Sequence, residues 1–190
     1  MAVTKHTLVA LVEDRPGVLN RVSSLFRRRN FNIDSIAVGH TEQPNLSRMI
    51  IVVEGDDAKV EQVRKQLDKV IDVVKIVDIT HDESVARELA LIKVKATAST
   101  RSEIIQIVDI FRANIVDVSA DSLIVEVTGD GDKVTSLLDL LRGFGIREIA
   151  RTGSIALTRG AVGPLQVEDV KAPKATPKPP TREAETPPDW

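Results

Sequence analysis

The order strand, helix, strand, strand, helix, strand occurs twice along this chain of 190 residues, and the repeat constrains the fold more than any other feature. In the first half, Val- and Ile-rich runs predict strands at 5–13, 32–39, 46–54 and 73–79. Two helices separate them, with apolar residues at spacings of three and four. Their apolar faces consist of Val18, Leu19, Val22, Leu25 and Phe26 in the first helix and Val60, Val63, Leu67 and Val70 in the second.

The second half repeats this order. Strands are predicted at 89–94, 115–118 and 123–127, and an extended segment at 147–157. Thr100 and Glu103 have capping-box spacing, which predicts that Thr100 caps the third helix. The apolar faces of its two helices are Ile104, Ile107, Val108 and Phe111, and then Val134, Leu137, Leu138, Leu141 and Phe144.

Two βαββαβ units of about 80 residues each predict an α+β fold built from two ferredoxin-like sandwiches. We expect domains at 1–80 and 84–160 and a Pro-rich disordered tail at 164–190, because the tail has no apolar period. Each sandwich leaves one sheet face or edge to be covered. The run at 50–53 is apolar on both faces, which predicts pairing with a partner chain in a dimer or larger even oligomer.

Composition narrows the class of function. Lys and Arg number 26 and Asp and Glu 28, so the net charge of −2 gives no reason to expect nucleic acid or a membrane as partner. The chain has no Cys, which excludes disulfides and Cys-ligated zinc and fits a reducing compartment. No signal peptide and no run of about 18 apolar residues is present, so we expect a cytoplasmic protein.

No constellation of catalytic residues is recognisable. The three histidines, His6, His40 and His81, lack metal-ligand spacing and lie near no nucleophile motif. Phosphate-binding and nucleophile-elbow glycine motifs are absent too. The predicted central strands carry no aromatic residue on which a base would stack, and the basic run at 27–29 suits the end of a helix. We therefore expect no catalytic residue, metal or cofactor in this chain.

The turn after the first strand is the best candidate for a binding site. Pro16 and Gly17 are predicted to open a helix, whose N-terminal N–H groups attract a carboxylate. Asp14 can hold an ammonium group, Asn32 offers a donor and an acceptor, and Ile33 offers apolar surface. These groups suit a small zwitterion with an aliphatic side chain. The alternative interpretation is an aspartate cap and a glycine that a tight turn requires.

The motif Glu13-Asp-Arg-Pro-Gly-Val-Leu19 resembles the ligand loop of ACT domains, which sense amino acids. The resemblance extends over about residues 5–160 and is closest to the family of acetolactate synthase small subunits. Segments 17–36, 46–51, 66–73 and 87–94 carry it in the first part of the chain, and 110–118 and 150–160 in the second.

The resemblance implies a regulatory role. In this family, N-terminal ACT domains form dimers with valine at the interface, and the C-terminal domain is ACT-like. The small subunit activates a separate catalytic large subunit and confers feedback inhibition in branched-chain amino-acid synthesis. The catalytic partner, a transferase, carries thiamine diphosphate, Mg and FAD. A stand-alone ACT-type sensor or transcription regulator is the alternative, but it needs a DNA-binding helix pair that the sequence does not show.

The resemblance also implies the residues of the valine site. The family often has Asn where this chain has Asp14, which concerns valine affinity more than site identity. The expected site comprises Asp14, Gly17, Val18 and Leu19 of one chain with Asn32 and Ile33 of a second copy.

Overall fold

The computed structural model describes residues 4–160; the predicted Pro-rich tail lies outside the described residues. The first unit runs β1 (Thr4–Glu13), α1 (Val18–Arg28), β2 (Ile33–His40), β3 (Leu46–Gly55), α2 (Asp57–Leu67) and β4 (Val73–Asp78). The second runs β5 (Ser84–Lys95), α3 (Arg101–Ile110), β6 (Asn114–Val118), β7 (Ser122–Gly129), α4 (Gly131–Leu141), β8 (Ile146–Arg151) and β9 (Ile155–Thr158).

Both sheets are antiparallel and share one topology. The strand order is β2-β3-β1-β4 in the first sheet and β6-β7-β5-β8 in the second. The short strand β9 pairs with the first four residues of β5, outside this shared pattern. The predicted α+β fold with two βαββαβ units is confirmed.

Each sheet buries one face against its two helices. Along β1, Leu8, Ala10 and Val12 pack against α1 and α2, because alternate side chains of a strand point to the same face. The second unit repeats this arrangement with Ala90, Ile92 and Val94 on β5. Both cores therefore depend on the Val, Ile and Leu pattern seen in the sequence.

The other face of the first sheet is covered by the chain itself. Val9, Leu11 and Ile50 on that face form a third buried cluster with Ala156 of β9, and Ala86 of β5 packs against it. The sequence predicted that a partner chain covers either the open face or the edge of this sheet. Strands β5 and β9 of the same chain cover part of the open face. Within residues 4–160, the edge strand β2 pairs on one side only, with β3.

Two local predictions were wrong. Thr100 makes no side-chain cap of α3, because its hydroxyl accepts a hydrogen bond from the N–H of Thr97 at 3.0 Å. The chain already turns at Thr97, whose carbonyl accepts from the N–H of Arg101 at 3.0 Å. The extended segment at 147–157 is two strands, β8 and β9, because Gly153 has a φ of +79° and breaks the run.

Candidate functional site

The loop between β1 and α1 is fixed by backbone hydrogen bonds to two neighbouring connections. The N–H of Glu13 donates to the carbonyl of Asp72, just before β4, at 2.9 Å. The N–H of Asp14 donates to the carbonyl of Asn45, just before β3, at 2.8 Å. The loop is therefore held at the end of the first sheet where β1 ends and β3 and β4 begin.

Gly17 is the N-cap of α1 and has a left-handed backbone, with φ of 90° and ψ of −10°. The prediction that Pro16 and Gly17 are the first helical residues was wrong, because a left-handed residue cannot continue a right-handed helix. The helix begins at Val18, and no side chain caps it. A Cβ atom added at Gly17 would meet no atom within 4 Å. The N–H of Val18 donates to the carbonyl of Arg15 at 3.5 Å, and no side chain caps the first turn of α1, whose N–H groups have no acceptor inside the helix.

The next two residues contribute in different ways. Val18 is buried in the first core, so its side chain is not available to a ligand at the surface. Leu19 was predicted on the buried face of α1, but its side chain is 51 % exposed beside the helix start. Leu19 therefore presents apolar surface to solvent beside the start of α1, which no side chain caps.

Asp14 links this loop to the end of β2. Its carboxylate lies 3.1 Å from Nδ1 of His40, the last residue of β2. The side chain of His40 is 85 % exposed and that of Asp14 is 44 % exposed. The loop and the free edge of the first sheet are therefore adjacent at this corner.

Asp72 holds the loop from below, and the sequence interpretation missed it. Its carboxylate is completely buried and accepts hydrogen bonds from Arg15 Nε at 2.7 Å and from Arg21 of α1. Burial acts to raise the pKa of Asp72, but the hydrogen bonds from both guanidinium groups outweigh it, and the pKa is lowered. The available signal was an acid among apolar residues at 70–74, because a buried carboxylate requires a cationic partner.

Asn32 and Ile33 lie at the opposite end of the same sheet. Ile33 pairs with Val53 of β3, whereas His40 pairs with Ser47 at the other end of that strand. The two ends of β2, Ile33 and His40, are seven residue steps apart, which corresponds to about 23 Å. One chain therefore brings Asp14, Gly17, Val18 and Leu19 together, but it does not bring Asn32 and Ile33 to them.

Comparison with known proteins agrees with this architecture. Residues 8–75 match the model of the AHAS small subunit-like ACT domain, and residues 87–160 match the model of the small subunit of acetolactate synthase. A probable acetolactate synthase small subunit of Archaeoglobus fulgidus is 60 % identical over 156 residues, 82 % of this chain and 98 % of the relative. The chain belongs to the family of acetolactate synthase small subunits.

Two further members of the family support the assignment. The acetolactate synthase small subunit of Mycolicibacterium smegmatis is 58 % identical over 158 residues, 83 % of this chain and 93 % of that protein. The crystal structure of the small subunit from Thermotoga maritima superimposes with a TM-score of 0.76 at 44 % identity, over 84 % of this chain and 99 % of that one. In the present chain, all six residues of the expected site lie within residues 8–75, the segment that matches the ACT-domain model.

Among residues 4–160, no helix is both long and apolar enough to cross a membrane.

Proposed function

We propose that this chain is the non-catalytic regulatory subunit of acetolactate synthase, that valine binds between two copies of its ACT domain, and that valine then inhibits the catalytic subunit. Membership of the small-subunit family supports the regulatory role. The observation that carries the valine proposal is the corner where the start of α1, which no side chain caps, lies with Asp14 and the end of β2.

A second copy completes this corner if the two β2 strands pair antiparallel. Strand β2 has eight residues, and its outer edge pairs with no strand of the described chain. Such an edge is a template for pairing with another chain. Antiparallel pairing places the first residues of the second copy's β2 beside His40, and therefore beside Asp14. Asn32 and Ile33 of one chain then meet Gly17 of the other, across a two-fold axis.

Each group of valine has a partner in this arrangement. The carboxylate lies at the start of α1, where the N–H groups and the helix dipole favour negative charge. The ammonium group meets Asp14 or the amide oxygen of Asn32. Leu19 and Ile33 flank the isopropyl group. The carboxylate of Asp14 strengthens binding of the ammonium group of valine. Because this carboxylate also contacts His40, the ammonium group has to compete with His40 for it.

Regulation follows if the two states of the dimer bind valine differently. The coupling between valine and the catalytic subunit should be about 1–3 kcal/mol, which corresponds to roughly 5- to 150-fold. Thiamine diphosphate, Mg and FAD belong to the catalytic partner in this proposal. The chain itself binds valine and changes the interface between its two copies.

Reconstitution with the catalytic subunit tests the proposal. Acetolactate formation by that subunit should rise when the chain is added and fall again when valine is added. Asn32→Ala should raise the valine concentration for half-inhibition by removing a polar partner. Asn114→Ala is the matched control, because Asn114 begins β6, the counterpart of β2 in the second unit. If the chain does not activate the catalytic subunit, the alternative of a stand-alone amino-acid sensor is favoured. If the two variants have equal effects, valine does not bind at Asn32.

A further inference from the structure

The connection between β8 and β9 lies directly against the first residues of β2. Gly153, in the middle of this connection, has a φ of +79°. A Cβ atom added there would lie 3.3 Å from Cβ of Ser35 and 3.4 Å from the carbonyl oxygen of Ile36. The second unit therefore contacts β2 at a point where an added Cβ atom requires Ser35 or Ile36 to move by a few tenths of an ångström.

This connection is anchored firmly to β5. The N–H of Thr152 donates to the carbonyl of Leu89 at 3.0 Å, and the N–H of Leu89 donates to the hydroxyl of Thr152 at 3.1 Å. One residue earlier, Arg151 forms an ion pair with the buried Glu88. The position of Gly153 is therefore fixed by the second sheet.

The segment that Gly153 touches is irregular. The pairing of β2 with β3 shifts register between Ile33 and Ser35, so Asp34 is bulged. The carboxylate of Asp34 lies 2.9 Å from Nζ of Lys5 on β1. Bulges bend a strand and redirect its side chains, and they are common beside functional sites. The direction of Asn32 and Ile33 therefore depends on how this bulged segment is held.

We propose that Gly153 is a positioning residue for the valine site: its contact with Ser35 and Ile36 sets where Asn32 and Ile33 lie. This role rests on the proposed valine site and adds the route by which the second unit senses it. Valine that shifts the start of β2 by a few tenths of an ångström moves the Gly153 connection, because packed elements transmit small displacements. By reciprocity, a displacement imposed at Gly153 changes the affinity for valine.

Gly153→Ala in the full chain tests this role, with Gly160→Ala as the matched control. Both glycines have a left-handed backbone, but a Cβ at Gly160 would meet no atom within 4 Å. The two variants therefore share the backbone strain and differ in the contact with β2. Titration calorimetry with valine should show about tenfold weaker binding for Gly153→Ala and less than about twofold for Gly160→Ala. Equal affinities of the two variants would overturn the proposal.

Rescue separates positioning from general destabilisation. Ser35→Gly removes the Cβ atom nearest to the introduced methyl group, so adding it to Gly153→Ala should restore valine affinity to within about threefold of that of Ser35→Gly alone. A double variant that binds valine as weakly as Gly153→Ala would contradict the role.

Amide hydrogen exchange without ligand gives a result that does not depend on valine binding. Exchange at residues 32–36 should rise in Gly153→Ala and stay unchanged in Gly160→Ala. Unchanged exchange in both variants would overturn the positioning role, even if valine binds the wild-type chain. Failure of the wild-type chain to bind valine would instead overturn the proposed function. The exchange result would then still show whether the contact of Gly153 with Ser35 and Ile36 positions the start of β2.

Discussion

Replacing Gly17 with Asp and with Asn separates the charge of the new side chain from its shape. Gly17 is left-handed, so any side chain there is strained, by roughly 1–2 kcal/mol for most residues. Asn and Asp tolerate this conformation better than other residues and are nearly isosteric. No atom lies within 4 Å of the Cβ position, so the Cβ atom of either variant meets no clash. The two variants should therefore fold alike.

Valine affinity should differ between them. If the carboxylate of valine binds at the start of α1, the Asp carboxylate lies about 4 Å from it. Two such charges repel by about 1 kcal/mol in water and by about 4 kcal/mol at the effective dielectric near a protein surface. Because about 1.4 kcal/mol is tenfold in affinity, Gly17→Asp should bind valine about fivefold to several hundredfold more weakly than Gly17→Asn.

Titration calorimetry gives the two affinities, and thermal unfolding provides the control. An acid at a helix start is favourable for the helix, so Gly17→Asp should melt at or above the temperature of Gly17→Asn. The reconstituted enzyme should keep its activation by the Asp variant and lose most inhibition by valine. Equal valine affinities of two folded variants would show that no ligand carboxylate lies beside Gly17.

Three further predictions concern the framework of the site. Asp72→Asn should lower the free energy of unfolding in urea by about 1–3 kcal/mol, because Arg15 and Arg21, both partly exposed, lose their buried anionic partner. The control Asp139→Asn breaks an exposed pair with Arg142 and should cost less than about 0.5 kcal/mol; equal losses would show that burial of Asp72 does not matter. Because folding lowers the pKa of Asp72, its contribution to the free energy of unfolding is complete above its unfolded pKa of about 4 and is lost as pH falls through the folded pKa. The stability of the wild type should therefore fall more steeply with acid than that of Asp72→Asn, and parallel curves would contradict this. Sedimentation should give a dimer or larger even oligomer at micromolar concentration, and a stable monomer would rule out a shared site.

Local periodicity was sufficient for most of the fold. The faces of α1 and α4 follow from spacings of three and four, and Val22, Leu25 and Phe26 are buried as predicted. Leu19 fits the same spacing but is exposed, whereas its neighbour Val18 in the same turn is buried. Strand β9 could not be recognised as separate, because its partner is the beginning of β5, about 70 residues earlier. Periodicity describes a segment and does not identify its distant partner.

The candidate site was predictable only in part for the same reason. Asp14 and Gly17 are neighbours in sequence and remain neighbours in the structure. The role of Asp72 depends on a contact with Arg15 that spans 57 residues, which no local pattern encodes. The distance from Gly17 to Asn32 depends on the register of β2 and β3, and register is set by the whole sheet. These contacts between distant residues required the structure.

Mixing two defective variants tests most directly whether valine binds between two copies. Gly17→Asp alters the loop of the site and Asn32→Ala alters the part from the other chain, so each variant alone should bind valine weakly. After subunit exchange in an equal mixture, half of the dimers are mixed, and each has one intact site. Titration calorimetry should then recover about a quarter of the wild-type sites at wild-type affinity, as expected for a two-fold dimer. If the mixture recovers no sites although exchange is complete, the six residues do not form a shared site and the account is wrong.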